Sequence, residues 1–137
     1  MRAARVPTIW LFTDERLGGA RARDPLWRAL GRLPRGAGVV FRHYSLGPAA
    51  REALLARVAA VARRRGLALV GSRIAGAPAG VHRPAHAPHG RSRAGGLVTA
   101  SAHDRAEAIA AFRAGADLVF LSPVFPTQSH PGSRSLG

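Results

Sequence analysis

The stretch GLVTASAHDRAEAIAAFRAGADLVFLS, residues 96–122, decides the fold of this chain. It opens and closes with short apolar runs, and Asp104 followed by Glu107 forms the capping box that starts a helix between them. Gly115 is typical of the residue that follows a helix end. Because both runs are apolar throughout rather than alternating, they are predicted to be strands of a parallel sheet covered on both faces. The helix is predicted to turn four apolar residues inward, namely Ala106, Ile109, Ala110 and Phe112.

The same alternation of strand and helix extends toward the amino terminus. Further strands are predicted at residues 8–12, 38–44, 67–71 and 79–82, which makes six in all. One helix is predicted to begin where Asp24 precedes Pro25, because aspartate is a favoured N-cap and proline a favoured first helical residue. A second begins at Pro48, continues as an apolar stripe and stops before Gly66. The sequence therefore predicts a single α/β domain with a parallel sheet.

Composition limits the function classes. The chain carries 21 basic residues, all of them arginine, against 7 acidic residues, for a net charge of +14. Nucleic-acid binding is nevertheless kept only as an alternative, because the arginines are scattered and no aromatic residues alternate with them as a stacking surface would need. The absence of cysteine excludes disulfides and thiolate metal sites. The run Ile9–Phe12 is too short for a signal peptide or a membrane span, so a cytoplasmic protein without membrane contact is predicted.

Polar residues follow the predicted strands, and the carboxyl ends of parallel strands are where such folds bind ligands. They are predicted to converge on one rim: Thr13, Asp14, Arg42, Tyr44, Ser72, His82, Ser101, His103, Thr127, Ser129 and His130. His82, His86 and His89 have helical spacing and raise the alternative of a zinc site. Because Pro84 and Pro88 prevent a regular helix there, a solvated basic loop is the preferred interpretation, and no metal ligand is assigned.

Five segments occur in an order that resembles the thiamine-phosphate synthases and their sister family, the thiazole tautomerases. They are IWLFTDER (9–16), VVFRHY (39–44), AGVH (79–82), TASAHDRAEAIAAFRAGADLVFLSPVFPT (99–127) and HPGSRSLG (130–137). The resemblance implies a (β/α)₈ TIM barrel. With about six parallel strands, residues 1–137 are expected to form a single incomplete barrel domain, C-terminally truncated, with the last two βα units missing. The open edges of such a sheet make a homo-oligomer one alternative.

The resemblance also implies chemistry. Thiamine-phosphate synthases couple a pyrimidine pyrophosphate with a thiazole phosphate with the help of Mg²⁺, whereas thiazole tautomerases move a proton on a thiazole phosphate carboxylate by means of a histidine. Carried over by position, Ser101 and His103 are the expected catalytic residues. The expected phosphate-binding residues are Arg42, Thr127, Ser129 and His130.

Several positions depart from the synthase pattern. His130 replaces a lysine, and the family's second metal-binding acid, a few residues after the AGVH segment, has no counterpart at residues 82–86. Tyr44 stands where synthases carry a lysine, and Gly71 and Ser72 stand where they carry an Asn-Asp pair that helps to bind Mg²⁺. The usual acidic ligands of Mg²⁺ are therefore absent. The leading interpretation is a thiamine-phosphate synthase-like transferase of thiamine biosynthesis acting on phosphorylated pyrimidine and thiazole small molecules. A tautomerase-like protein and a catalytically inactive remnant that binds phosphorylated ligands remain the alternatives, so whether the chain is an active enzyme stays open.

Overall fold

The computed structural model describes residues 5–19, 23–87, 95–126, 128, 132 and 134–136. Within them lies one six-stranded sheet in which every neighbouring pair is parallel and the strands follow chain order. The strands are β1 (Trp10–Phe12), β2 (Gly38–Phe41), β3 (Ala68–Ser72), β4 (Gly80–Arg83), β5 (Leu97–Ala102) and β6 (Leu118–Leu121). The helices are α1 (Pro25–Arg32), α2 (Pro48–Arg65) and α3 (Arg105–Arg113). The predicted partial (β/α) barrel is confirmed.

The sheet is curled rather than flat. Neighbouring strands lie about 4.8 Å apart, so the first and last of six strands in a flat sheet would be about 24 Å apart. Here the ring of Phe12 on β1 and the ring of Phe120 on β6 meet edge to face with their centroids 4.8 Å apart. Trp10 also contacts Phe120, at 5.4 Å. The strands therefore form a half-barrel whose concave interior contains the aromatic side chains of Trp10, Phe12 and Phe120 beside aliphatic residues.

Two glycines allow this interior to close. A Cβ atom on Gly38 would stand 2.3 Å from the indole ring of Trp10, so glycine at this position lets the indole lie directly on β2. Gly80 has a φ of 147°, and a Cβ there would come within 1.9 Å of the Leu97 carbonyl oxygen. Only glycine tolerates such an approach, and it brings β4 close against β5.

The larger core lies on the outer, convex face of the sheet, beneath α1 and α2. Side chains at alternate positions of β2 and β3 point there, while the residues between them point into the interior. Fully or almost fully buried members of this core include Leu26, Leu30, Val39, Phe41, Leu54, Leu55, Val58 and Leu69. Burial of apolar area on this scale is the main stabilising contribution to the fold.

The helix ends match the prediction. The Asp24 carboxylate accepts the Leu26 N–H at 2.9 Å and caps α1. Gly66 has a left-handed φ of 65° and ends α2. At α3 the Asp104 carboxylate accepts the Glu107 N–H at 2.8 Å, and the Glu107 carboxylate accepts the His103 N–H at 2.7 Å. No helix in the described part of the chain is long and apolar enough to cross a membrane.

The predicted inward face of α3 is wrong. Ile109 and Phe112 are 40% and 55% exposed, whereas the buried residue of this helix is Ala111. Alanine occurs on every side of α3, so the apolar spacing there does not distinguish one face from another. The half-barrel packs on the small residue and leaves the two large ones outside.

Candidate functional site

Thr13, the residue after β1, fixes Arg42 at the end of β2. The buried Thr13 hydroxyl accepts the Arg42 backbone N–H at 3.0 Å, and its carbonyl oxygen accepts the Arg42 Nε–H at 3.0 Å. The same hydroxyl lies 3.1 Å from Nδ1 of His43, whose Nε2 is 2.7 Å from the Leu17 carbonyl oxygen. Because that carbonyl can only accept, Nε2 carries the ring proton and Nδ1 accepts from Thr13.

The chain turns sharply after Arg42, because His43 has a left-handed φ of 45°. This turn explains why β2 ends at Phe41 although a strand was predicted as far as Tyr44. It also places the Arg42 guanidinium over the interior, 5.5 Å from the centre of the Phe12 ring. Among the described residues, the two terminal nitrogens of this guanidinium have no hydrogen-bond partner. They are thus available to a ligand, although phosphate binding by Arg42 stays a prediction.

His82 on β4 is the residue that sequence reasoning placed on the rim but did not assign to the site. It is only 4% exposed. Its Nδ1 lies 2.9 Å from the Thr99 hydroxyl and its Nε2 lies 3.1 Å from the Ser101 hydroxyl, both on the neighbouring strand β5. Burial, and to a smaller extent the positive charge of Arg42, lower the pKa of His82 to about 4. The imidazole is therefore neutral at pH 7 and holds Ser101 by a hydrogen bond.

The interior position of His82 follows from the register of the sheet, and no local sequence motif indicates it. Ser72, His82 and Thr99 are partners across β3, β4 and β5, so their side chains point to the same, interior face. A run of hydroxyl and imidazole groups in one row across a parallel sheet marks a polar layer inside the half-barrel. The zinc interpretation that grouped His82 with His86 is wrong for His82, since both of its ring nitrogens already contact hydroxyls.

Arg51 of α2 is a second residue that the sequence did not single out. Its guanidinium donates to the carbonyl oxygens of Arg42 at 2.7 Å and of Arg73 at 2.7 Å, and also to that of Ser72. It therefore joins the ends of β2 and β3 at the rim. Between these ends the Tyr44 hydroxyl is hydrogen-bonded to the Ser72 hydroxyl.

The carboxylates near Arg42 do not fit a magnesium site. Asp14 is bound through both of its oxygens by the Arg16 guanidinium, which together with the Arg16 backbone N–H holds the pKa of this carboxyl far below its usual range. Glu15 accepts the backbone N–H groups of Tyr44 and Ser45. Mg²⁺ needs several oxygen ligands in octahedral array, normally anchored by one or two available carboxylates. The described residues around Arg42 do not supply that set.

The two predicted catalytic residues, Ser101 on β5 and His103 after it, lie at different depths. Ser101 is partly buried and bonded to His82, whereas the His103 side chain is 51% exposed at the mouth. His103 lines a cavity of about 500 Å³ together with Asp104, Pro123, Arg134, Ser135 and Leu136. Its Nδ1 lies 3.5 Å from a carboxylate oxygen of Glu107. The other predicted phosphate-binding residues, Thr127, Ser129 and His130, lie outside the described residues, as does His89.

Residues 11–137 match the thiamine monophosphate synthase family (TMP-TENI). The chain belongs to this family. No protein with a curated function matches it. Around Arg42, the described residues of this thiamine monophosphate synthase family member lack the free carboxylates that Mg²⁺ would require.

Proposed function

We propose that this family member binds a phosphorylated thiazole at the carboxyl rim of the half-barrel and moves a proton on its ring, as thiazole tautomerases do. The observation that carries the proposal is the Arg42 guanidinium, held at its Nε by the Thr13 carbonyl with both terminal nitrogens free of described partners. A planar guanidinium fixed in this way presents two parallel N–H donors, which match two oxygens of a phosphate.

The side chains beside Arg42 can accommodate the heterocyclic ring of a ligand whose phosphate is bound by Arg42. His82 is neutral, so it can lie beside an uncharged heterocyclic ring without placing a second positive charge next to Arg42. Because Nε2 of His82 is bonded to the Ser101 hydroxyl, that hydroxyl is oriented and keeps at least one lone pair that can accept a hydrogen bond from a ligand. Phe12 supplies an apolar surface between Arg42 and His82, because its ring centre lies 5.5 Å from the Arg42 guanidinium and 5.6 Å from the centre of the His82 ring.

His103 is the residue proposed to move the proton. Its Nδ1 lies 3.5 Å from the Glu107 carboxylate, which orients the ring, while Nε2 remains for the substrate. Imidazole exchanges protons readily near neutral pH, and the reaction needs no metal. This is why the lack of available carboxylates around Arg42 favours proton transfer over Mg²⁺-dependent coupling.

The test uses the full chain, purified and treated with a chelator. Thiazole phosphate carboxylate is added, and NMR follows both its binding and the movement of the ring proton. We expect Arg42→Ala to weaken binding about tenfold or more and His103→Gln to abolish turnover while binding persists. The matched control is Arg28→Ala, an exposed arginine on α1. Failure of the wild-type protein to bind any phosphorylated thiazole would reject the proposal.

Mg²⁺-dependent coupling of a pyrimidine pyrophosphate with a thiazole phosphate is the second candidate function. It is favoured by the family match itself, which covers residues 11–137. Release of pyrophosphate in the presence of Mg²⁺, with no proton transfer in its absence, would replace the first proposal by this one. Binding of both phosphorylated ligands without either reaction would instead identify a non-catalytic phosphate-binding protein.

A further inference from the structure

We propose that His86, His103 and Glu107 form a binding site for a divalent transition metal of the Zn²⁺ type. His86 follows β4, His103 follows β5, and Glu107 lies in the first turn of α3. The two loops and the helix thus bring together residues that are up to 21 positions apart in the sequence. The site lies at the mouth of the half-barrel, where His103 also lines the cavity of about 500 Å³.

The spacing of the donor atoms fits a tetrahedral ion. Nδ1 of His86 lies 3.5 Å from Oε1 of Glu107, and Nδ1 of His103 lies 3.5 Å from Oε2 of the same carboxylate. One ligand atom from each residue can be chosen so that all of them lie within 4.8 Å of one another. Ligands about 2.0–2.1 Å from a tetrahedral ion are about 3.4 Å apart, which is close to the 3.5 Å that separates Nδ1 of His86 from Oε1 of Glu107.

The Glu107 carboxylate is held in place by a hydrogen bond that does not depend on a metal. Oε2 of Glu107 accepts the His103 backbone N–H at 2.7 Å as part of the helix cap, which fixes the side chain and leaves Oε1 for an ion. His86 has a left-handed φ of 62°. That conformation is uncommon for a residue other than glycine. In it the His86 ring lies beside that of His103, with the centroids 5.4 Å apart.

The donor set determines the class of metal. Two imidazoles and one carboxylate suit Zn²⁺, Co²⁺ or Ni²⁺, whereas Mg²⁺ and Ca²⁺ select oxygen ligands alone. Three protein ligands leave a further coordination position for water or a ligand anion. This site is therefore distinct in chemistry from the Mg²⁺ site that the family resemblance implies.

The metal site does not rest on the proposed proton transfer, but the two would compete. Nδ1 of His103 faces Glu107 in either case. If that nitrogen binds a metal, the ring is no longer oriented as a base by the carboxylate. Zn²⁺ would then inhibit proton transfer, and the inhibition would be relieved by a chelator.

The experiment titrates the full chain with Co²⁺ alone and follows visible absorption, because tetrahedral Co²⁺ absorbs far more strongly than octahedral Co²⁺. We expect an intense tetrahedral spectrum that Zn²⁺ abolishes and excess Mg²⁺ leaves unchanged. Replacement of one ligand, in His86→Ala or Glu107→Gln, should weaken binding roughly tenfold or more. Glu107→Gln is the informative variant, since its amide oxygen can still accept the His103 N–H and preserve the helix cap.

The control is His89→Ala, because His89 belongs to the alternative set defined by sequence spacing. It should leave Co²⁺ binding unchanged, and circular dichroism of each variant without metal should match that of the wild type. Equal loss in His89→Ala, no loss in His86→Ala and Glu107→Gln, or a weak octahedral spectrum would overturn the proposed site. None of these measurements depends on thiazole binding or turnover, so failure here is distinguishable from failure of the proposed function.

Discussion

Acidification tests the buried state of His82 directly. The imidazole is 4% exposed and bonded through both nitrogens to the Thr99 and Ser101 hydroxyls. In the unfolded chain a histidine has a pKa near 6.5, whereas burial, assisted by the charge of Arg42, lowers it to about 4 in the fold. The unfolded state therefore binds a proton before the folded state does, so the free energy of unfolding falls as the pH drops from 6.5 to 4.

The magnitude follows from the size of that pKa difference. Each unit of pKa shift corresponds to about 1.4 kcal/mol. When the pH falls far enough to protonate His82 in the unfolded state while it stays largely neutral in the folded state, the free energy of unfolding therefore falls by about 3 kcal/mol. The contribution is complete above pH 6.5 and is lost progressively down to pH 4, below which both states carry the proton. For a domain of this size, such a loss is a large part of the total stability.

Chemical denaturation measures the effect. The free energy of unfolding is determined at pH 7 and at pH 4 for the wild type and for His82→Gln, whose side chain can still bond to hydroxyls but cannot titrate. Other groups titrate in both proteins, so the difference between the two pH dependences isolates His82. We expect the wild type to lose about 3 kcal/mol more than the variant. Equal losses, or an NMR titration of His82 with a pKa near 6.5, would refute the argument from burial.

Three further outcomes are expected. Gly80→Ala should lower the free energy of unfolding by about 3 kcal/mol or more, or prevent folding, because its Cβ would approach the Leu97 carbonyl oxygen to 1.9 Å; circular dichroism in denaturant measures this. Leu69→Ala should cost about 2–5 kcal/mol, whereas Ile109→Ala should change stability by less than about 1 kcal/mol, because Leu69 is 1% and Ile109 40% exposed. Equal costs would contradict the assignment of the α3 face. Arg51→Ala should weaken the affinity for a phosphorylated ligand more than Arg51→Lys does, because the guanidinium joins the strand ends that carry Arg42 and Ser72. Calorimetry with a thiazole phosphate measures this affinity. Unchanged affinity in both variants would count against the positioning role of Arg51.

The sequence by itself determined the architecture, because the signals for it are local. Apolar runs without alternation indicate buried parallel strands, and Asp24, Asp104 and Gly66 identify helix ends within a few residues. Since parallel strands all end at one edge, the same pattern placed Arg42 and His103 at the rim before any contact was known. The family resemblance carried by the five segments between residues 9 and 137 then agreed with the match over residues 11–137.

The tertiary structure alone decided the state of the site. The neutral imidazole of His82, the three carbonyls joined by Arg51 and the approach of His86 to His103 all depend on strand register and on the curl of the sheet. These contacts join residues of different strands and helices, and no local pattern encodes their distances. The inward face of α3 was mispredicted for the same reason: an alanine-rich helix packs on whichever side the neighbouring strands leave room for, and only the folded half-barrel defines that side.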